Sequence, residues 1–437
     1  MLISIDSLRA DHVGALGYQR DTTPTIDRLA AEGATFTRAI STTSWTLPAH
    51  AALLTGLPDS AHGATTVASR LTEGVTTLAE ALAAAGYRTR GFFAGPFLEP
   101  GFGFAQGFDE YLDCTSYGTG RPDVPIGKRH SASHKDRTNP MVLRNVLHEL
   151  EELDGRPFFF FVHMWDVHYD LIPPPPYDTM FFPDYSGSFD GRAFRHNPEF
   201  RPGMDADDLA HTIALYDGEV RYTDDTIGRI VDTLDAMGVL ADTLIVITSD
   251  HGDEFLEHDG KGHRRSLFQE VVRVPLVMRL PGKIPARRVD DSVSLIDVAP
   301  TILDLVGAEP IDEAMGRSLL PLMAGDRSAE PVGALSELTS APRIPSLSSL
   351  VVGDDKVIVD DSKGVATYFD LATDPGELRG APAAGSGAGR KLVALLARRK
   401  AAAALRRAEI EGAGEQATDD PITPQLRSVL QSLGYLD

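Results

Sequence analysis

Leu-Ile-Val-Ile-Thr-Ser-Asp-His-Gly-Asp-Glu-Phe-Leu-Glu-His-Asp-Gly-Lys-Gly-His, residues 244–263, opens with a β-branched apolar run and breaks off into charge. A run such as Leu244 to Thr248 reads as a strand buried on both faces, the habit of parallel sheets. It ends at Ser249-Asp250-His251-Gly252, so a carboxylate and an imidazole arrive together at a strand's C-terminal edge. That edge is where open α/β sheets bind ligands. Taken alone, an Asp-His pair is equally well a salt-bridged loop.

Three other stretches carry groups of the same chemistry. Met1 to Ile5 reads as a short strand that stops at Asp6-Ser7, where Asp6 is either a turn cap or a ligand. The stretch Thr43 to Gly56 contains a helix with Pro48 in its first turn and Gly56 at its end. Thr46 then falls at or just before the N-terminus, either as a plain N-cap or as a hydroxyl in the positive end of the helix dipole. His50 follows one turn later on the same face. Finally, the apolar run Phe158 to Val162 leads into His163-Met164-Trp165-Asp166-Val167-His168, followed by the prolines 173–176. His163 and Asp166 read as either structural or supporting residues.

Working outward, strand and helix patterns alternate along most of the chain. Thr22 to Gly33, Val75 to Ala85, Met141 to Leu153, Ile213 to Met237 and Val298 to Val306 have helical spacing, and Tyr87 to Ala94 and Val271 to Met278 read as strands. This alternation implies a large, mostly parallel sheet flanked by helices. Beyond about Pro331 the pattern shortens to pieces such as Leu350 to Val352 and Lys356 to Val359, the mark of a small antiparallel subdomain. The expected organisation is a catalytic α/β domain over residues 1–330 and a small subdomain over 331–380. Residues 381–437 read as a Gly/Ala linker, a solvated charged helix from Arg390 to Glu411 and a last helix from Leu426 to Leu436.

Composition narrows the function. The chain has 437 residues and 42% hydrophobic content, enough for a sizeable core, and 41 basic against 63 acidic residues give a net charge of −22. Such a balance argues against a nucleic-acid partner or an anionic membrane surface. An anionic substrate therefore needs local positive charge, which a metal supplies. The one cysteine, Cys114, excludes an intramolecular disulfide. No basic-then-apolar leader and no apolar run of spanning length is found, which reads as a cytoplasmic protein without a stable membrane anchor. Oligomeric state is not legible.

Asp6, Thr46, Asp250 and His251 form a ligand set for one divalent cation. Coordination lowers the pKa of a hydroxyl and turns Thr46 into a nucleophile. His50, His168 and His263 are then placed to grip the substrate's non-bridging oxygens and to protonate the leaving group.

The blocks Ile5 to His12, Thr23 to Asp27, Ala52 to Gly56, Ser249 to Gly252, Arg273 to Leu276, Asp297 to Thr301 and Asp370 to Glu377 together resemble the sulfatase family of the alkaline phosphatase superfamily. The resemblance spans most of the chain and implies that fold and metal-dependent ester hydrolysis. Sulfatases carry a cysteine or serine matured to formylglycine, with proline two residues on and arginine four on. Here the spacing is kept by Thr46, Pro48 and His50, and threonine cannot yield the aldehyde. The family's paired aspartates are Asp6-Ser7 here, and His263 replaces a substrate-binding lysine. These departures are similar to the threonine-nucleophile branch of the superfamily. They imply cleavage of a small anionic phosphoester or phosphonate ester, or its transfer to an acceptor. A sulfuric-ester hydrolase acting without formylglycine and a catalytically silent anion-binding relative are the alternatives. Zinc or manganese suits the mixed N/O set better than calcium, and a second ion between His168 and His263 is compatible with it.

Overall fold

The computed structural model describes residues 1–115, 137–326, 332–339 and 344–413, together with Pro424 and Arg427. Its centre is an eight-stranded sheet in the order β10-β2-β9-β6-β1-β5-β3-β4. The strands are β1 (Leu2–Ile5), β2 (Ala34–Ile40), β3 (Arg88–Phe93), β4 (Glu110–Asp113), β5 (Phe158–Met164), β6 (Ile245–Ser249), β9 (Arg273–Arg279) and β10 (Arg287–Ser294). β9 alone runs against its neighbours β6 and β2, and the remaining pairs are parallel.

Alternation along the strands feeds two cores. Leu2, Phe159, Phe161 and Val246 face one side, with Leu47, Leu53, Leu78 and Val298 from the helices there. Ile3, Phe160, Val162 and Ile247 face the other, against Ile26, Val142, Leu215 and Ile227. A central sheet covered on both faces is what a parallel arrangement requires, and it explains the continuous apolar runs. The long helix Ala206–Ala236 extends further back than its apolar stripe, because Asp205 caps it by accepting the amides of Asp207 and Asp208.

Three strands of the large sheet escaped the sequence reading. β4 and β10, its two edges, carry Glu, Arg, Asp and Ser on partly exposed faces, while β2, beside β10, is buried almost throughout but mixes Thr and Arg into its apolar run, so the period is blurred in all three. Residues 101–140, which show no clear period in the sequence, hold β4 and the start of the helix Asn139–Glu151; residues 116–136 lie outside those described.

A second sheet, β11-β12-β13-β14-β15, is antiparallel throughout (Ala334–Leu338, Leu347–Val352, Asp355–Asp360, Val365–Asp370, Ala381–Pro382). Here the linker expectation fails. Ala381 and Pro382 pair with β14, and the helix Gly387–Ala413 buries Leu392 and Leu396 against Leu335, Leu350 and Val357. Leu392, Leu396, Ala403 and Ile410 are apolar positions spaced along an otherwise charged helix, so its charge masked a packing face. The last helix expected at Leu426 to Leu436 falls almost wholly outside the described residues.

A buried ion pair of the small subdomain is tied to the segment that leads into β9. Lys356 of β13 has its ammonium 2.7 Å from Glu377 Oε1, both side chains wholly buried, and donates to the Leu267 carbonyl at 2.6 Å. Glu377 in turn accepts the Gln269 amide at 2.5 Å. Lys356→Met strands the Glu377 charge, and breaking one side of a buried pair typically costs about 3–5 kcal/mol. Thermal melting of that variant is expected well below wild type; an unchanged midpoint would show that the pair contributes little to stability.

Candidate active site

β6, β1 and β5 are adjacent and parallel, with Ile5 level with Ser249 and with Met164. Their C-terminal ends therefore release Asp6, Asp250 and the His163–His168 segment at one edge. The turn after β1 is tightly held. Ser7 adopts a left-handed φ of 58°, unusual for a residue with a side chain. It is kept there by its amide donating to Asp250 Oδ1 at 3.1 Å, its hydroxyl to Asp6 Oδ1 at 2.8 Å, and Tyr216 donating to its carbonyl at 2.8 Å. Gly252 follows His251 because a Cβ would lie 2.1 Å from the Glu270 carbonyl oxygen.

The helix Thr46–Thr55 approaches this edge with its N-terminus and ends at Gly56 with φ 72°. Thr46 is its first residue, Trp45 holds the cap position with an extended backbone, and no side chain caps the helix. The N-cap reading of Thr46 is therefore excluded. Its hydroxyl instead lies 3.4 Å from Asp6 Oδ2 and 3.4 Å from His251 Nε2, almost wholly buried.

His50 is placed differently from expectation. Its Nδ1 donates to the Thr46 carbonyl at 2.9 Å, and its Nε2 accepts from Ser4 Oγ at 2.9 Å. Fully buried against Phe161 and His163, the ring lies beneath the nucleophile helix, with both nitrogens engaged in the scaffold. Burial drives its pKa down to about 3, so it is neutral.

His163 is the residue whose role the sequence left open. Its Nδ1 donates to the Ala94 carbonyl at 2.6 Å, so the Nε2 lone pair faces Asp6 Oδ2 across 3.4 Å. Asp166, by contrast, is structural: it accepts the amides of Thr138 and Asn139 at 2.6 and 3.1 Å, at the start of the helix Asn139–Glu151.

Asp253 was not foreseen at all. A two-stranded hairpin, β7 (Glu254–Phe255) with β8 (Lys261–Gly262), pairs Glu254 with Gly262 and thereby brings the flanking residues Asp253 and His263 together. His263 Nδ1 lies 2.7 Å from Asp253 Oδ1, and its ring is 4.3 Å from that of His251. His168 completes this wall: it donates from Nδ1 to the Tyr169 carbonyl at 2.8 Å and stacks on Trp165, with its ring 5.2 Å from that of His263. The spacing of Asp253 within the Asp250-His251-Gly252-Asp253 run was the available signal.

Two overlapping groups of ligand atoms result, Asp6–Asp250–His251 and His251–Asp253–His263, all buried. Electrostatics shows that they suit a cation. His251 donates from Nδ1 to the Gly252 carbonyl at 3.0 Å, so its Nε2 lone pair faces Asp250 Oδ2 at 3.3 Å. Asp250 Oδ2, Asp253 Oδ2 and His163 Nε2 are buried without a hydrogen-bond partner. Converging lone pairs of this kind need a positive charge between them, and a proton is the weakest that serves. Burial accordingly raises the Asp6 and Asp253 carboxyls to about 6 and pushes Asp250 up as well. On His251 burial acts downward, but Asp250, Asp6 and Asp253 overcome it and hold the imidazole above its ordinary value.

The sign of the resulting pH dependence follows. Carboxyls with raised folded pKa take up protons in the folded state before the unfolded one, so stability is gained as pH falls through about 6 and lost as it rises. Burial acts on His50 and His163 with the opposite sign, holding them at about 3 and about 4, so they cost stability as pH falls. The buried acids are therefore read by difference: on going from pH 7.5 to pH 5, metal-free Asp253→Asn is expected to gain less, or lose more, melting temperature than metal-free wild type. Calorimetry showing the same pH dependence in the two proteins would contradict the buried-acid account.

Comparison with known proteins agrees with this geometry. The sulfatase family model matches residues 1–308. The chain belongs to the sulfatase family. Like other members, this sulfatase-family chain is a hydrolase of the alkaline phosphatase superfamily, whose members are metal-dependent. It is 28% identical over 401 residues to the multifunctional alkaline phosphatase superfamily protein PehA of Trinickia caryophylli, covering 76% of this chain and 78% of that one. An arylsulfatase of Clostridium perfringens is 25% identical over 86% of this chain and 89% of its own length. Mouse arylsulfatase K is 30% identical over 48% of this chain and 39% of its own. In structure, the chain is similar to a phosphonate monoester hydrolase of Agrobacterium radiobacter, with a TM-score of 0.71, 24% identity and coverage of 94% and 95%. That likeness shows the shared fold. Among the described residues no helix is long and apolar enough to cross a membrane.

Proposed function

We propose that this sulfatase-family chain is a metal-dependent hydrolase of small anionic phosphodiesters or phosphonate esters that uses Thr46 as its nucleophile. The observation that carries this reading is the Thr46 hydroxyl, uncapped at a helix N-terminus and directed at Asp6 and His251. Asp6, Thr46, Asp250 and His251 would hold the ion, with His163 Nε2 as a fifth donor facing Asp6. The mixture of carboxylates and imidazoles favours zinc or manganese over calcium. When bound, the ion supplies positive charge that neutralises the substrate and favours the ionised hydroxyl.

The residues themselves perform the rest. The Thr46 proton departs toward Asp6 Oδ2, since the carboxylate keeps a second oxygen as a ligand atom whereas the single Nε2 lone pair of His251 is committed to the ion. Thr46 Oγ1 forms a bond to phosphorus as the bond to the leaving oxygen breaks, and the helix N-terminus stabilises the developing charge. His263, anchored at Nδ1 by Asp253, and His168, anchored at Nδ1 by the Tyr169 carbonyl, act through Nε2 to grip non-bridging oxygens and protonate the departing alcohol. Water then cleaves the Thr46 ester. An alcohol in its place gives transfer. His50 acts as a positioning residue, tying the first turn of the helix to Ser4 of β1.

The name of the PehA relative, multifunctional, fits a site that accepts several ester classes. The arylsulfatase relatives keep the second reading in view, sulfate-ester hydrolysis by the bare threonine. Turnover of p-nitrophenyl phosphate, bis(p-nitrophenyl) phosphate, p-nitrophenyl phenylphosphonate and p-nitrophenyl sulfate by zinc-, manganese- and calcium-loaded protein separates them. Diester or phosphonate cleavage with zinc or manganese is expected. Sulfate cleavage with calcium would transfer the assignment to the sulfatase reading, and no turnover without bound metal would leave a silent anion binder.

A further inference from the structure

The wall that carries His168 and His263 continues outward into a cation. Tyr169, almost wholly buried, lies against both imidazoles, its ring 4.0 Å from that of His168 and 5.3 Å from that of His263. Arg195 Nη1 donates to the Tyr169 hydroxyl at 2.7 Å, and the guanidinium carbon is 5.9 Å from the Tyr169 ring. Arg195 is half-buried, and its charge reaches Asp253, fully buried beside His251, strongly enough to offset part of the rise in that carboxyl's pKa.

The backbone around Arg195 is fixed from both sides. Phe194 donates its amide to Asp170 at 3.1 Å, and Leu171 donates to the Gly191 carbonyl at 3.1 Å, stitching this loop to the segment after His168. On the other flank, Lys261, two residues before His263, donates to the carbonyls of Asn197 and Phe200 at 2.5 and 3.1 Å. Arg264, next in sequence to His263, lies 4.0 Å over the indole of Trp45, the residue before Thr46, with its amide bonded to the Ser44 carbonyl at 3.0 Å. Two arginines thus stand beside the residues of the cluster in a chain of net charge −22. A local cationic rim in an acidic protein concentrates anions where they bind, and a pre-positioned guanidinium selects a planar anionic partner.

We infer that Arg195, held by Tyr169 beside the His168–His263 wall, selects esters whose leaving group carries an anionic substituent of its own. The inference rests on the ester-hydrolase reading and adds the substrate class: the natural leaving alcohol bears a carboxylate or a second phosphate. Arg195 receives that charge on the side where the alcohol departs. The phosphoryl or phosphonyl group stays with Thr46.

Calorimetric binding to zinc-loaded protein tests this without requiring turnover, with benzylphosphonate and 4-carboxybenzylphosphonate as the matched probes, mimics of an aryl phosphate in which a methylene replaces the leaving oxygen so that the ring stands for the leaving group. Wild type is expected to bind the carboxylated probe roughly tenfold more tightly, the size of one charge-assisted contact. Arg195→Ala should bring the ratio close to one, and Arg195→Lys should leave it intermediate. Arg192→Ala, which removes only an exposed pair with Asp190, should keep it. A purely structural Arg195 would weaken both probes alike and preserve the ratio, which overturns the inference. Equal binding by wild type, or binding of neither probe, overturns it too. Failure of the ester-hydrolase reading shows separately, as absent turnover of all four p-nitrophenyl esters.

Discussion

Thr46→Ala is expected to abolish ester turnover, lowering kcat/KM by at least about 10⁴-fold, the scale on which removing a covalent nucleophile acts. At saturating metal the effect should be confined to chemistry. The Thr46 hydroxyl makes only two long contacts, at 3.4 Å, and caps no helix, so its loss removes no strong structural bond. Melting midpoint should therefore stay near wild type; metal affinity should weaken, since Thr46 is one of the proposed ligands, but Asp6, Asp250, His251 and His163 remain and should still retain the ion at saturating metal. Thr46→Ser keeps the oxygen and should restore a measurable fraction of the rate. Steady-state kinetics on the best p-nitrophenyl ester decides it: an Ala variant within tenfold of wild type would remove Thr46 from the mechanism.

Asp250→Ala should act one step earlier, on the ion itself. Asp250 Oδ1 accepts the Ser7 and His251 amides at 3.1 and 2.8 Å, while Oδ2 faces His251 without a hydrogen-bond partner. One carboxylate thus both shapes the turn after β1 and offers a ligand atom. Even outer groups that merely orient a ligand change metal affinity by about 10–100-fold. A direct ligand should do more, and elemental analysis is expected to find wild type with stoichiometric zinc or manganese and Asp250→Ala with almost none. Asp250→Asn, which keeps the amide acceptor but not the charge, should retain the fold and still lose most of the metal. Full metal in either variant would contradict the assignment of the site.

The sequence made the centre of the molecule legible and its periphery obscure, for physical reasons. β6 and β5 are buried on both faces, so their composition is uniformly apolar, and the change to Asp250-His251 and to His163–His168 marks the sheet edge by contrast. The helix carrying Thr46 announced itself through Pro48 and Gly56, residues whose backbone preferences are local. β4 and β10 form the sheet's edges, where burial is partial and the pattern is mixed, and β2 beside β10 is buried but breaks its apolar run with Thr35, Thr37 and Arg38. Asp253 became visible only once the hairpin β7–β8 folded it onto His263. His50 was read onto the right helix face, but distance along a helix does not reveal that Ser4 and the Thr46 carbonyl already occupy its ring. Spacing identifies which residues share a face; tertiary partners decide which of them meet substrate.

Covalent capture at Thr46 tests the account most directly. Zinc- or manganese-loaded protein turning over p-nitrophenyl phenylphosphonate is quenched in acid, digested and read by peptide mass spectrometry. The account predicts a phenylphosphonyl adduct on the peptide containing Thr46, localised to that residue and absent from Thr46→Ala. Turnover with an unmodified Thr46 peptide, or with the adduct on another residue, would contradict it.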